Sequence, residues 1–306
     1  MTETKEFSFR SRNRTNTIHC RICKPSGEPE GIVQIAHGIT EHIGMYDSFM
    51  SYLAGKGYIA VGNDHLGHGL SAADEQDKGF FAEERGWHYC AADINKLSTL
   101  MKAKYPGLPY YYYGFSMGSY LVRTCLIKYP DCCDKALIVG TGFPAPSRLQ
   151  AGYALTDTIV RRKGSRYVSR RVSKLIFSSY NSHIEDQRTP YDWLSRVDSS
   201  VDDYMNDPLR TGASTVSLYR DMFGGIIFDC DKNNLEKMNK DMPVLFLSGS
   251  EDPVGDYGDG VYRTYKSFLN AGMKNVSLKI YGGARHQLLL EQNKDEVFDD
   301  ILAFMK

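Results

Sequence analysis

The sequence predicts an α/β fold in which a mostly parallel central sheet has helices on both faces and a helical cap inserted between two strands. Two observations lead to this prediction. Short runs of β-branched and aromatic residues alternate with longer segments of helical spacing along most of the 306 residues. One stretch, residues 144–223, interrupts this alternation with amphipathic helical patterns and no convincing buried strand.

Six apolar runs are predicted to form the parallel strands, and two polar-alternating segments near the N-terminus are predicted to pair as a hairpin at one edge. The six runs are residues 31–37, 58–64, 108–115, 136–142, 243–248 and 276–281, and the hairpin segments are residues 6–11 and 17–24. The helical patterns between the strands cover residues 46–56, 88–104, 117–128, 261–272 and 295–306. The alternation indicates crossover connections, which bury both faces of a parallel sheet.

The interruption divides the chain into three predicted parts. Residues 1–143 form the first part of the α/β core, residues 144–223 the cap, and residues 224–306 the second part of the core. An insertion that leaves the sheet at the end of one strand and returns at the next is expected to lie across the carboxyl edge. Open α/β sheets bind their ligands at that edge.

Charge and composition exclude several classes of function. Lys plus Arg and Asp plus Glu both number 37, so no net positive field favours nucleic acid. Residues 1–14 are polar, and no stretch approaches the ~20 apolar residues of a bilayer span. We therefore expect an unexported, cytoplasmic protein, to which the odd number of cysteines, seven, is suited. Cys20 and Cys23 lie within a predicted strand and are interpreted as structural.

A candidate nucleophile lies where a predicted strand turns sharply into a helix. Gly114-Phe115-Ser116-Met117-Gly118 has the G-x-S-x-G pattern of a nucleophile elbow. The serine of an elbow adopts a strained backbone conformation, and flanking glycines remove the Cβ atoms that would clash in the turn. Ser116 is therefore the predicted nucleophile.

A serine hydroxyl needs a base and an acid that orients the base. Asp252 follows the apolar run 243–248, and His286 follows the run 276–281. The order Ser, Asp, His is the one found with nucleophile elbows on this type of sheet. Glu251, Asp256 and Asp259 are alternatives for the acid, with Asp252 preferred.

The negative oxygen of a tetrahedral intermediate requires backbone donors. Met117 is one predicted donor because its amide opens a helix, where the dipole favours an anion. Ile39, after the strand at residues 31–37, is the other, and Gly38 allows a close approach to substrate. His37 is interpreted as a structural loop residue.

The segment Asp64-His65-Leu66-Gly67-His68-Gly69 superficially resembles a metal-binding motif. Zinc needs converging ligands and a further donor, whereas the two glycines indicate a tight loop. We expect neither a metal nor a cofactor.

These segments together resemble bacterial monoacylglycerol lipases and lysophospholipases of the α/β-hydrolase superfamily, over nearly the whole chain. The stretches that match are His37 to His42, Asp64 to Ser71, the elbow around Ser116 and the segments of Asp252 and His286. The resemblance implies the same triad and oxyanion donors, and a cap over an acyl-binding tunnel. It makes Gly38 and Glu41 candidate substrate-binding residues. One departure is Met45, where the family commonly has arginine.

The predicted activity is hydrolysis of a carboxylic ester by two-step acyl transfer, with a lipid monoester such as a monoacylglycerol as substrate. The alternatives are a carboxylesterase for small soluble esters and a receptor that uses the same pocket only for binding. Repeated turnover would distinguish an enzyme from a receptor.

A basic stretch in the predicted cap is interleaved with apolar residues. Its surface could contact an anionic membrane or phosphate head groups transiently, or it could be an ordinary solvated helix face. The basic residues are Arg161, Arg162, Lys163, Arg166, Arg170, Arg171 and Lys174, and the apolar ones are Ile159, Val160, Tyr167, Val168 and Val172. The oligomeric state is left open.

Overall fold

The computed structural model describes residues 2–306, which form one eight-stranded sheet in the order β1-β2-β4-β3-β5-β6-β7-β8. Strands β3 to β8 are parallel, and β1 and β2 form an antiparallel hairpin that joins the sheet through β4. The strands are β1 (Glu3–Arg10), β2 (Thr17–Lys24), β3 (Gly31–Ala36), β4 (Tyr58–Asn63), β5 (Tyr110–Phe115), β6 (Lys135–Val139), β7 (Val244–Gly249) and β8 (Val276–Tyr281).

Helices cover both faces of the sheet. Apolar residues of α1 and α10 pack on one face, and those of α2, α3, α7 and α9 pack on the other. The helices are α1 (Asp47–Gly55), α2 (Gly86–Lys104), α3 (Met117–Lys128), α4 (Pro146–Lys163), α5 (Arg170–Phe177), α6 (Asp198–Asn206), α7 (Val216–Cys230), α8 (Lys232–Leu235), α9 (Asp259–Asn270) and α10 (Lys294–Met305). The predicted α/β architecture is thus confirmed.

All six predicted parallel strands and the edge hairpin are present, with small errors at their ends. The strand predicted at residues 136–142 stops at Val139, because Gly140 has φ 59° and leaves the extended region. The first hairpin strand starts at Glu3, three residues earlier than predicted.

Successive side chains of a strand point to opposite faces, which explains how similar residues close together on one strand are divided between the two layers. Tyr110 and Tyr112 of β5 pack on the α2–α3 side, whereas Tyr111 and Tyr113 pack on the α1–α10 side. Cys20 and Cys23 of β2 are likewise divided between the two faces, and neither is in a disulfide. The cysteines therefore pack as small core side chains on separate layers.

The segment between β6 and β7 contains α4 to α8 and contributes no strand to the sheet. The cap at residues 144–223 remains a prediction as a separate unit, and α7 runs continuously across its second boundary. Trp87 of α2 lies where a Cβ on Gly225 of α7 would be, so this part of the insertion packs closely on the core. Within residues 2–306, no helix is both long enough and apolar enough to cross a membrane.

Candidate active site

Ser116 occupies the turn between β5 and α3, at the carboxyl edge of the sheet. Its backbone has φ 52° and ψ −120°, a conformation that a non-glycine residue adopts only at a cost. The Ser116 amide donates to the carbonyl of Val139 at 2.9 Å, which ties the turn to the end of β6. The elbow predicted from the sequence therefore has the strained geometry expected of it.

The two flanking glycines are required by close packing. A Cβ on Gly118 would lie 2.0 Å from the carbonyl oxygen of Ala36, and one on Gly114 would lie 2.6 Å from that of Gly118. Both distances are far below a van der Waals contact. Glycine at these positions lets α3 begin directly against the end of β3, which brings Ser116 close to the loop that follows β3.

His286 and Asp252 are in direct contact beside this turn. The Nδ1 of His286 donates to Oδ1 of Asp252 at 2.9 Å, and both residues are fully buried. Asp252 also accepts from the Val254 amide at 2.9 Å and from the Ser248 hydroxyl at 3.2 Å. With its proton on Nδ1, His286 has Nε2 available as an acceptor, and no partner for Nε2 exists among residues 2–306.

The structure distinguishes among the candidate acids by position. Asp252 is the carboxylate that touches His286, whereas Asp256 is at the surface and pairs with Arg263 at 2.6 Å. Glu251 is exposed, and Asp259 starts α9. The geometry thus agrees with the preferred assignment, although the role of each residue remains a proposal.

The amides proposed as oxyanion donors belong to two different segments. Met117 is the first residue of α3, so its amide has no partner within the helix. Ile39 lies in the turn after β3, and in residues 2–306 no acceptor takes either amide. Thr40, the next residue, has φ 65°, a left-handed conformation that bends the chain around this position.

Glu41 holds the turn after β3 in place. One carboxylate oxygen accepts from the Gly38 amide at 2.8 Å and from the Tyr46 hydroxyl at 2.6 Å, and the other accepts from the Gln287 amide at 3.1 Å. Burial raises the pKa of Glu41 above its ordinary value. Glu41 also lines the cavity described below, so its predicted substrate contact stays a prediction, while these bonds hold the turn in place. No signal in the sequence pointed to Gln287.

The histidine-containing loop after β4 also contacts the turn that follows β3. The rings of His37 and His65 are tilted by 38° to each other with centroids 4.1 Å apart, and the His37 Nε2 accepts from the His65 amide at 3.0 Å. Asp64 accepts from the amides of Ile43 and Leu70 at 2.7 and 2.8 Å. Burial lowers the pKa of His65 to about 3, so this ring stays neutral in the fold. These residues organise adjacent loops.

A cavity of about 520 Å³ opens at the elbow, a size typical of small-molecule sites. Ser116, His286, Gly38, Ile39 and Glu41 line one side of it. The insertion lines the other side with aromatic and apolar side chains, which include Phe177, Tyr191, Trp193, Leu194, Tyr204 and Tyr219. Sequence patterns did not predict which insertion residues would reach the cavity.

Two segments of the insertion are bonded to the loops that carry the candidate catalytic groups. Trp193 lies with its ring centroid 5.0 Å from that of His286, and its carbonyl accepts from the His286 amide at 3.3 Å. The Tyr204 hydroxyl lies 2.6 Å from Thr40 Oγ1, and the His42 Nε2 lies 3.0 Å from Asp207. The insertion therefore contacts both the histidine loop and the oxyanion turn.

The parallel sheet, its two helical layers and the elbow at the carboxyl edge of the sheet define an α/β-hydrolase. The chain belongs to the Hydrolase_4 family, described as serine aminopeptidase S33, whose model matches residues 27–293.

Relatives over almost the whole chain are lipases. The human monoglyceride lipase is 26% identical over 93% of this chain and 85% of its own, and the monoacylglycerol lipase of Mycolicibacterium smegmatis is 24% identical over 93% and 91%. A thermostable carboxyl esterase from Bacillus coagulans, solved in complex with glycerol, has a TM-score of 0.92 and 26% identity, with 99% of this chain and 97% of that chain covered. The resemblance to monoacylglycerol lipases is confirmed, and the chain is a carboxylic ester hydrolase.

Proposed function

We propose that this protein hydrolyses lipid monoesters, such as monoacylglycerols, through an acyl-enzyme on Ser116. The observation that carries the proposal is the meeting of Ser116, the unbonded Nε2 of His286 and the free Ile39 amide at one cavity, with the free Met117 amide next in the chain to Ser116. A nucleophile, a base and an oxyanion site at one point are the requirements for acyl transfer.

In the first half of the reaction, the Ser116 hydroxyl loses its proton to Nε2 of His286 while its oxygen attacks the ester carbonyl. The amides of Ile39 and Met117 donate to the carbonyl oxygen as it becomes negative. Collapse of this intermediate breaks the bond to the alcohol, which leaves with the proton from His286. Asp252 stabilises the charged imidazole through its bond to Nδ1.

In the second half, water gives its proton to His286 and attacks the acyl carbon of Ser116. The same two amides receive the oxyanion, and the intermediate releases the carboxylic acid as Ser116 regains its proton. In each half of the reaction one proton is transferred to Nε2 of His286 and then released from it, and neither half requires a cofactor.

The lining of the cavity supports an apolar acyl group. Phe177, Trp193 and Leu194 face the catalytic residues from the insertion, and Trp193 and Leu194 are themselves well buried. Aromatic and aliphatic walls favour a hydrocarbon chain over a polar one. Two of the relatives are named as lipases of monoglycerides, which is consistent with this preference.

The family description names aminopeptidases, and the cavity argues against that activity here. Binding a free amino terminus requires a carboxylate with open acceptor positions. Glu41 is the one carboxylate among the residues that line the cavity. It is buried, and Gly38, Tyr46 and Gln287 take three of the roughly four acceptor positions of its oxygens. We therefore favour an ester over a peptide as substrate.

We further propose that the insertion contacts membranes transiently. Tyr167 and Val168 of the basic stretch are 40% and 43% exposed, and Leu175 in α5 is 67% exposed. Val160 and Val172 are buried, so only part of the predicted apolar set is available. Co-sedimentation with vesicles should increase with anionic lipid content, and binding that is independent of anionic lipid would contradict this contact.

The substrate is tested by steady-state hydrolysis of monoacylglycerols of graded chain length beside short p-nitrophenyl and aromatic esters. We expect kcat/KM to increase with acyl length up to the capacity of the cavity. A preference for the short soluble esters would retain the acyl-transfer chemistry but replace the lipid substrate. Loss of both activities in Ser116→Ala, measured in parallel, links the hydrolysis to this site.

A further inference from the structure

We propose that Arg210 binds an anionic group on the alcohol part of the substrate, so that the preferred monoester carries a phosphate or carboxylate there. This inference rests on the proposed function, in which the acyl group is a hydrocarbon and any charge must lie on the alcohol. It concerns three cationic residues that line the catalytic cavity: Arg210, Arg170 and Lys174.

Arg210 lies over the faces of two aromatic rings, those of Tyr191 and Tyr204, which meet edge to face with their centroids 5.4 Å apart. Its guanidinium carbon lies 5.1 Å from the ring centroid of Tyr191 and 5.0 Å from that of Tyr204. Stacking of this kind orients a guanidinium without using its N–H groups. Nη1 of Arg210 donates a long hydrogen bond, 3.4 Å, to the Tyr191 hydroxyl, and the guanidinium also approaches the Tyr204 hydroxyl. Most of its donors are therefore oriented but not engaged.

Arg210 has no carboxylate within 4 Å in the described chain, residues 2–306. Several other arginines of the insertion have a carboxylate partner. Arg166 pairs with Asp77 at 2.9 Å, Arg188 with Asp202 at 2.6 Å, and Arg196 with Glu291 at 2.7 Å. An arginine that lines the cavity, is fixed by stacking and lacks a counter-ion is suited to receive one from a ligand.

Two further cations lie on the same cavity. Arg170 and Lys174 are four residues apart on α5, so they share one face of the helix. Both are exposed, and neither forms an ion pair within residues 2–306. Together with Arg210 they add three positive charges to the wall that the insertion contributes.

The opposite wall does not balance these charges. Glu41 is the one carboxylate that lines the cavity, and its oxygens accept bonds from the interior of the oxyanion turn. A cavity with excess positive charge and low-dielectric aromatic walls attracts anions and repels cations. A neutral monoester would leave Arg210 without a counter-ion, whereas a phosphate or carboxylate would supply one.

The test compares two soluble monoesters that differ by one phosphate, 1-butyrylglycerol and 1-butyrylglycerol 3-phosphate, both below their aggregation limits. For the wild-type protein we expect kcat/KM to be about 10- to 100-fold higher for the phosphate ester, the range of one or two charge-assisted hydrogen bonds. Monomeric substrates separate recognition in the cavity from attraction to a charged lipid surface.

Arg210→Gln should reduce the ratio of the two kcat/KM values to near one, and Arg210→Lys should retain part of it, since a point charge remains but the planar fork is lost. The ratio is independent of the fraction of active enzyme, so a partly unfolded variant does not obscure the result. Arg263→Gln, which removes an exposed arginine of α9 outside the cavity, is the matched control and should keep the wild-type ratio.

Equal or better hydrolysis of the neutral ester by the wild-type protein would overturn the inference and leave the proposed function intact. A preference that persists in Arg210→Gln, or that arises only when the substrates are presented on vesicles, would also overturn it. Failure to hydrolyse either ester, with no reaction of Ser116 towards a fluorophosphonate, would instead contradict the proposed function.

Discussion

The hydroxyl groups of Thr40 and Tyr204 lie 2.6 Å apart, although 164 residues separate them in the sequence. Thr40 follows the proposed oxyanion donor Ile39 and has a left-handed backbone. The carbonyl of Thr40 also accepts from the Thr211 amide at 3.0 Å. The insertion thus helps to hold a backbone conformation on which the oxyanion donor depends.

Tyr204→Phe should lower kcat by about 3- to 10-fold with a smaller change in KM. The substitution removes one buried hydrogen bond, worth about 1 kcal/mol, from a turn that must receive the oxyanion. Steady-state kinetics on a short p-nitrophenyl ester measure both parameters. Tyr262→Phe, at an exposed position of α9, is the control. An unchanged kcat in Tyr204→Phe would show that the oxyanion turn does not need this bond.

Asp252→Asn should reduce kcat by a factor on the order of 10⁴, because the asparagine cannot stabilise the charged imidazole and favours the wrong tautomer. Asp256→Asn changes a surface pair with Arg263 and should leave kcat nearly unchanged. Hydrolysis rates of the two purified variants, measured side by side, provide the check. A large loss of kcat in Asp256→Asn, with little loss in Asp252→Asn, would identify Asp256 as the catalytic acid instead.

Gly118→Ala should destabilise the fold by about 1–3 kcal/mol, the usual cost of overpacking. The new Cβ would lie 2.0 Å from the Ala36 carbonyl oxygen, so α3 or β3 must shift. Gly27→Ala is the matched control, since nothing lies within 4 Å of its Cβ. Urea unfolding measures the free energy of unfolding of both variants. Equal values for Gly118→Ala and Gly27→Ala would contradict the close contact between Gly118 and Ala36.

Asp93 should make stability fall as the pH rises from about 4 to 6. Burial raises its pKa from 3.8 to about 6, against the hydrogen bonds from the Ser11 hydroxyl and the Arg12 amide. Between these pH values the folded state therefore binds more protons than the unfolded chain. The free energy of unfolding decreases as the pH rises and the buried carboxyl ionises. The slope should be at most about 1 kcal/mol per pH unit.

Asp93→Asn keeps one acceptor oxygen for the Arg12 amide and places an NH2 group against the Ser11 hydroxyl, which can accept from it. The titration is removed, so the unfolding free energy of this variant should vary less between pH 4 and 6. Asp203→Asn, at an exposed site on α6, serves as the control and should follow the wild-type curve. Urea unfolding at several pH values measures the slopes. A slope in Asp93→Asn equal to that of the wild type would assign the pH dependence to another group.

Local sequence patterns predicted the parts of the molecule that depend on local structure. Ser116 directly follows β5, and Asp252 and His286 lie in the loops that follow β7 and β8, so their positions at one sheet edge follow from strand order. The insertion was different. Its helices are amphipathic, but the sequence does not show which face meets the core or that Arg210 would contact the rings of both Tyr191 and Tyr204. Such contacts depend on packing between distant segments.

The same limit explains why the hydrogen bonds of Glu41 could not be predicted. The motif places it next to the oxyanion turn, and only the folded chain brings Gln287 to its second oxygen. The contact joins residues 246 positions apart, so no local pattern could indicate it.

The most direct test of the central claim is intact-protein mass spectrometry of the enzyme quenched within milliseconds of mixing with a p-nitrophenyl ester. We expect a transient mass increase equal to one acyl group, located by peptide mapping on Ser116. The Ser116→Ala variant should show neither this adduct nor turnover. An adduct on another residue, or a Ser116→Ala variant that turns over at the wild-type rate, would contradict that claim.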